Sequence, residues 1–242
     1  MKIIQVLTLI LVLASLGLNA QWGKKIRGNG DYTTTTRSLG SYEGIEMSGW
    51  FDVEIIRGSE GTITLEGERN LLEHLVTEVK GGTLKIRTEK GYQLQPSDYN
   101  RGIVITIPVD EISFVTLSGS GDIVCKDGLK SNQFTTTLSG SGDIHLEIEA
   151  ARVVATLSGS GDITLSGTAD NLEATVSGSG DIKAYELQAA NARAVIAGSA
   201  DIRLTVTESL HARVSGSGDI RYRGNPARVD SKVAGSGDVE AE

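Results

Sequence analysis

The dominant pattern in this chain is an alternation of apolar and polar residues, tied to a phrase that returns about every 19 residues. Ser118-Gly119-Ser120-Gly121-Asp122-Ile123 recurs with its aspartate at Asp143, Asp162, Asp181, Asp201, Asp219 and Asp238, at separations of 21, 19, 19, 20, 18 and 19 residues. Five residues before each aspartate stand Leu117, Leu138, Leu157, Val176, Ile196, Val214 and Val233; one residue after it stand Ile123, Ile144, Ile163, Ile182, Ile202, Ile220 and Val239. Three residues after it come Cys125, Leu146, Leu165, Ala184, Leu204 and Tyr222, and the even offsets are polar. A period of two means β-strand with one buried face. A self-similar period near 20 means a solenoid.

These two periods predict an all-β protein built as a parallel β-solenoid of about 19–20 residues per coil. Coils then stack as parallel strands about 4.8 Å apart; the default crossover between such strands makes a right-handed β-helix, and the period leaves a left-handed triangular coil open as the alternative. The glycines fall on the inward offsets, with Ala200 the one exception, where a missing side chain allows close backbone approach. Residues 166–171 and 223–226 have turn chemistry.

The alternation is weaker before residue 111, which divides the chain into 1–20 as a leader, 21–110 as an N-terminal cap with irregular early coils, and 111–242 as regular repeats. Met47-Ser48-Gly49-Trp50-Phe51-Asp52 reads as a degenerate first copy. Strand-like alternation runs through 51–56 and 62–66. Asn70 is placed to cap a short helix through Val76, with Leu71, Leu72 and Leu75 on one side. A hairpin is expected over 79–84, a polar loop over 91–102, and a strand over 103–108 leading into the first clear coil.

Met1 to Ala20 changes the picture of location. Lys2 precedes an apolar run from Ile3 to Leu18, and Ala20 offers a small residue before Gln21, the pattern of a cleaved secretory signal. The run is shorter than the roughly 20 apolar residues a membrane span needs, so no transmembrane anchor is expected after cleavage. Localisation follows as periplasm, outer-membrane surface or extracellular. Loss of Lys2 leaves 22 basic against 31 acidic residues, a surface that repels phosphate backbones and argues against nucleic acid. The one cysteine, Cys125, sits at an inward offset and reads as a core thiol.

The Ser-Gly-Ser-Gly-Asp-Ile repeats, the strand ending in Pro108 and Gly81-Gly82-Thr83-Leu84-Lys85-Ile86 resemble the head GIN domain family of putative autotransporter adhesins, exported proteins common in the Bacteroidetes group. The resemblance runs from about Arg37 to at least Ile220. It implies a β-solenoid and an envelope or extracellular location, and it implies no catalytic residues and no cofactor. The chain ends at Glu242, directly after the last repeat, so self-transport through a membrane barrel of its own is not expected.

The aspartate column is the sharpest chemical candidate. Stacking would align Asp122, Asp143, Asp162, Asp181, Asp201, Asp219 and Asp238, where neighbouring carboxylates about 4.8 Å apart repel by roughly 0.9 kcal/mol even in bulk water. Hydrogen bonds to turn N–H groups or serine hydroxyls are the expected offset. A row of Ca²⁺ ions is the functional alternative, although calcium-binding rolls repeat every nine residues.

Enzymatic signatures are weak. His74, His145 and His211 are scattered, and no Gly-x-Ser-x-Gly nucleophile turn or phosphate loop occurs. Trp22, Tyr32, Tyr42, Trp50, Phe51, Tyr92 and Tyr99 all precede the clear coils, so a glycan site would lie in that half, with Trp50, Tyr92 and Tyr99 as its candidates. Packing of the cap is the plainer role for these rings.

The functional expectation is a non-enzymatic adhesin or interaction scaffold that presents a Ser/Asp/basic surface to an unknown surface or glycan ligand. A glycan-binding module is the alternative, and a polysaccharide-active enzyme a more distant one. The open edge of the last coil invites end-to-end homo-oligomers, opposed by Glu240 and Glu242.

Overall fold

The computed structural model describes residues 23–125 and 127–242; the leader reading and Trp22 fall outside them. Strands make up 69% of the chain and helix 2%, in a parallel β-solenoid of about seven turns with about 19 residues per turn.

The regular part contains β10 (Phe114–Gly119), β11 (Ile123–Cys125), β12 (Leu129–Gly140), β13 (Ile144–Gly159), β14 (Ile163–Gly178), β15 (Ile182–Gly198), β16 (Ile202–Gly216), β17 (Ile220–Arg223), β18 (Arg228–Gly235) and β19 (Val239–Ala241). Long strands such as β13 wrap most of one coil. Their residues before the Gly-Ser-Gly bend form one face, on which Leu138, Leu157 and Val176 lie in register. Their residues after it form a second face, with Ile144, Ile163, Ile182, Ile202 and Ile220 in register. Segment 166–171, expected as a turn, instead continues β14 as strand, with the bend carried by Gly167 at φ 109°. Residues 224–227 do form the link between β17 and β18.

The N-terminal half holds β1 (Lys24–Arg27), β2 (Tyr32–Ser38), β3 (Gly44–Gly49), β4 (Asp52–Arg57), β5 (Thr62–Glu68), α1 (Arg69–Leu72), β6 (Leu75–Lys80), β7 (Thr83–Thr88), β8 (Tyr92–Gln95) and β9 (Val104–Val109). The degenerate copy is a true coil: Met47 pairs with Leu117, and Gly49 with Gly119. Sequence order and spatial order then part. β7 stacks on the opposite edge of β3 from β10, and β9 on the opposite edge of β4 from β11. The coil met first along the chain is therefore enclosed between two coils made later. Along the chain β9 leads into β10, as expected, but in space β4 separates it from β11.

Antiparallel strands close this end. β6 pairs with β7, β5 with β9, and β2 with β5. The β6–β7 hairpin turns at Gly81 and Gly82, both at positive φ, as the sequence predicts. The helix is shorter than expected, only one turn. Glu68, not Asn70, precedes it, because Asn70 spends its side chain on Arg27 O and Asn29 N–H. Part of the predicted 91–102 loop is β8, paired in parallel with β1.

Packing explains the glycines, with one correction. A Cβ on Gly142 would overlap the Gly121 carbonyl, and one on Gly161 that of Gly142. The missing side chains therefore face along the stacking axis, against the coil beneath, and not toward the core. The Gly119 carbonyl accepts both Ser141 N–H at 2.9 Å and Gly142 N–H at 3.2 Å. A continuous core runs from Tyr42 to Ile220 and includes Cys125, whose thiol burial pushes up.

Candidate functional site: an aspartate ladder with an aromatic cleft at its head

Each column aspartate bonds its neighbour. Oδ1 of Asp122, Asp143, Asp162, Asp181, Asp201 and Asp219 accepts the main-chain N–H of the next coil's aspartate at 2.9–3.1 Å. Asp52 extends the ladder by accepting the Asp122 N–H at 3.1 Å. In return, Ile123 N–H donates to Asp143 O and Ile144 N–H to Asp162 O. The carboxylates thus bind the next coil's backbone, not their own turn, and each repulsive pair is bridged by a charge-assisted hydrogen bond.

Cations compensate only part of the column. Lys183 Nζ lies 2.6 Å from Asp162 Oδ2, Arg203 3.0 Å from Asp201 Oδ2, and Arg221 2.9 Å from Asp219 Oδ2. All three cations sit two residues after a column aspartate, where earlier coils carry Val124, His145 and Thr164. At Asp162 burial pushes the carboxyl up, but Lys183 and the Asp181 N–H outweigh it and hold it below the usual range. At Asp52 burial prevails over the Asp122 N–H and raises the carboxyl. Among the described residues no three His, Cys, Asp or Glu side chains converge as metal ligands.

Asp52 also lines a cleft of about 430 Å³ together with Trp50, Gln95, Tyr99, Asn100 and Ser120. Trp50 occupies the outward position that is Ser120 in the next coil and serine in every later one. Phe51 replaces the following glycine and is fully buried, whereas Trp50 stays half-exposed. Tyr99 is 76% exposed, with its hydroxyl accepting from Gln95 Nε2 at 2.8 Å. The structure thus brings Trp50 and Tyr99 together. Tyr92 is elsewhere, stacked on His74 at 4.2 Å, and does not line the cleft.

The loop carrying Tyr99 is anchored by Glu68, a residue that sequence reasoning missed. Glu68 is 1% exposed and accepts Gly30 N–H at 2.6 Å and Ser97 N–H at 2.9 Å. Burial raises its carboxyl, but the Ser97 and Gly30 bonds win and hold it below its ordinary value. No sequence signal marks it, since its partners are 38 and 29 residues away.

Three outward columns carry no charge over four coils, flanked by Glu173, which pairs with Arg152 at 2.8 Å. Thr116, Thr137, Thr156 and Thr175 are in register, as are Ser118, Ser139, Ser158 and Ser177. Ser120, Ser141, Ser160 and Ser179 form a third, exposed column beside them. Glu46, paired with Lys85 at 2.8 Å, bounds this hydroxyl field at one end and Arg213 at the other.

No curated protein sequence matches the chain. Among solved structures, a putative adhesin from Bacteroides fragilis is similar at 23% identity and TM-score 0.82, over 90% of this chain and all of that one. A putative lipid binding protein from Parabacteroides distasonis is 30% identical with TM-score 0.76, over the same shares. A putative adhesin from the same species is 22% identical with TM-score 0.74. The family described as "Putative auto-transporter adhesin, head GIN domain" matches residues 41–226. With the solenoid, the repeat and this match agreeing over most of its length, the chain belongs to that family.

Proposed function

We propose that the protein is an exported, non-catalytic adhesion module that holds a partner surface through the repeated outward columns of its solenoid. The observation that carries this reading is the in-register field of threonine and serine hydroxyls on β10, β12, β13 and β14. A rigid, uncharged array of groups that both donate and accept suits many weak contacts with a repeating polymer, and such contacts multiply by avidity. The adhesin description of the family supports it, and the apolar Ile3–Leu18 run behind Lys2 supports export.

The test is adherence of beads coated with the mature protein to polysaccharide-, mucin- and cell-coated surfaces. Removing one coil, residues 144–162, preserves the register of its neighbours and should weaken attachment only in part. Because the field is uncharged, attachment should persist in high salt. Absence of adherence to every surface, or release of soluble product from one of them, would reject the proposal.

A further inference from the structure

We infer that the cleft at the head of the aspartate ladder is a binding site for a neutral saccharide, separate from the hydroxyl field. Its volume of about 430 Å³ lies within the roughly 300–1,000 Å³ of small-ligand sites. The cleft combines the two groups that sugar recognition requires. Trp50 and Tyr99 offer ring faces and edges for the C–H side of a pyranose. Asp52, Gln95, Asn100 and Ser120 offer acceptors and donors for its hydroxyls.

Trp50 packs partly on the core, its ring tilted against Phe51 at 5.2 Å, and together with the exposed Tyr99 it lines the cleft. Phe51 already fills the core at this coil, fully buried. Trp50 beside it breaks an otherwise unbroken column of outward serines, at the place where the column meets the 96–102 loop. Tyr99 is outside the core cluster and is the most exposed large hydrophobic residue among those described. Gln95 fixes its hydroxyl, which reduces the ordering cost of binding.

Charge selects the class of sugar. Asp52 gives one oxygen to the Asp122 N–H and, among the described residues, has no cation paired with it. Among the described residues no lysine, arginine or histidine lines the cleft. Arg101, the nearest cation in sequence, is stacked on the Tyr32 ring at 3.7 Å. Sialic or uronic acids would meet a carboxylate without a counter-charge, so uncharged hexoses or pentoses are the fitting ligands.

An array of neutral and acidic oligosaccharides, followed by tryptophan fluorescence titration in a Trp22→Phe background, tests this. Saturable binding of a neutral saccharide is expected, at least tenfold weaker in Tyr99→Ala with an unchanged melting temperature, since that side chain is exposed. Asp52→Asn, which keeps an acceptor for the Asp122 N–H, should weaken the same saccharide while the protein stays folded. No neutral hit, binding indifferent to Tyr99→Ala, or a response only to phosphatidylcholine vesicles would overturn the inference, the last in favour of a lipid. Bead attachment in the Tyr99→Ala variant separates this site from the adhesion proposal, because the hydroxyl field is untouched.

Discussion

The N–H of Asp181 donates to Oδ1 of Asp162 at 2.9 Å while Lys183 Nζ holds the other oxygen at 2.6 Å. One carboxylate thus joins two coils and carries its own counter-ion. Asp162→Ala should cost roughly 1.5–3 kcal/mol in a denaturant melt, the size of a charge-assisted bond, and Asp162→Asn less, since an acceptor survives. The depressed Asp162 carboxyl stabilises the fold above its ordinary pKa of 3.8, and that contribution fades as pH falls through the lower folded value. Asp52 has the opposite sign. Its raised carboxyl favours the fold when protonated and loses that advantage as pH rises, so Asp52→Asn should not destabilise at neutral pH.

Millimolar calcium should leave the melting temperature unchanged. The Oδ1 atoms of the column accept backbone N–H groups, and Oδ2 of Asp162, Asp201 and Asp219 faces cations. A calcium-dependent rise measured by circular dichroism against chelator would show that the column binds metal instead.

Glu68→Ala should cost about 1–2 kcal/mol, because it removes the buried acceptor of the Gly30 and Ser97 N–H groups, which can then turn to solvent. In the native protein the Glu68 contribution is complete above its ordinary pKa of 4.5 and is lost as pH drops through its lower folded value. Hydrogen exchange at Ser97 and Gly30 should therefore accelerate in acid before exchange in β13 and β14 does.

Gly161→Ala should destabilise by about 1–3 kcal/mol, since its Cβ meets the Gly142 carbonyl and the coils must part. Ala200 stands at the equivalent place. Gly180 N–H reaches the carbonyl of Gly159 at 3.2 Å, whereas Ala200, like Gly218 and Gly237 at the same offset, shows no matching bond. Ala200→Gly should be near neutral, so the thermal melt should fall for Gly161→Ala and stay close to that of the native protein for Ala200→Gly.

Thr136 is fully buried between Val115 and Ala155 in its column, and its hydroxyl has no partner. Thr136→Val replaces an unsatisfied oxygen with a methyl of similar size. A gain of about 1 kcal/mol is expected on urea unfolding.

The period and the alternation made the solenoid legible, because Ile123 to Ile220 each repeat the same local choice. What joins the coils was not legible. The Asp162–Asp181 bond depends on register between strands 19 residues apart, and nothing local distinguishes it from a turn bond. The glycine direction failed for a related reason: at φ near 140° the absent Cβ of Gly140 or Gly159 points along the stack, which simple alternation does not describe. Trp50 was readable as a break in the serine column, and Tyr99 only as an aromatic in a polar stretch. Tyr92 was misplaced because β8 turns it onto His74 while its neighbours face the cleft.

The enclosure of β3 and β4 between β7–β9 and β10–β11 gives the chain two kinds of growth. Up to Val109 no coil is complete until a later segment arrives beneath it, so this half must assemble as a block. From Phe114 onward each coil needs only the one before it. Insertion or loss of whole repeats is therefore open to the second half and closed to the first, and lineages can lengthen or shorten the rod while its head, with the cleft, stays fixed.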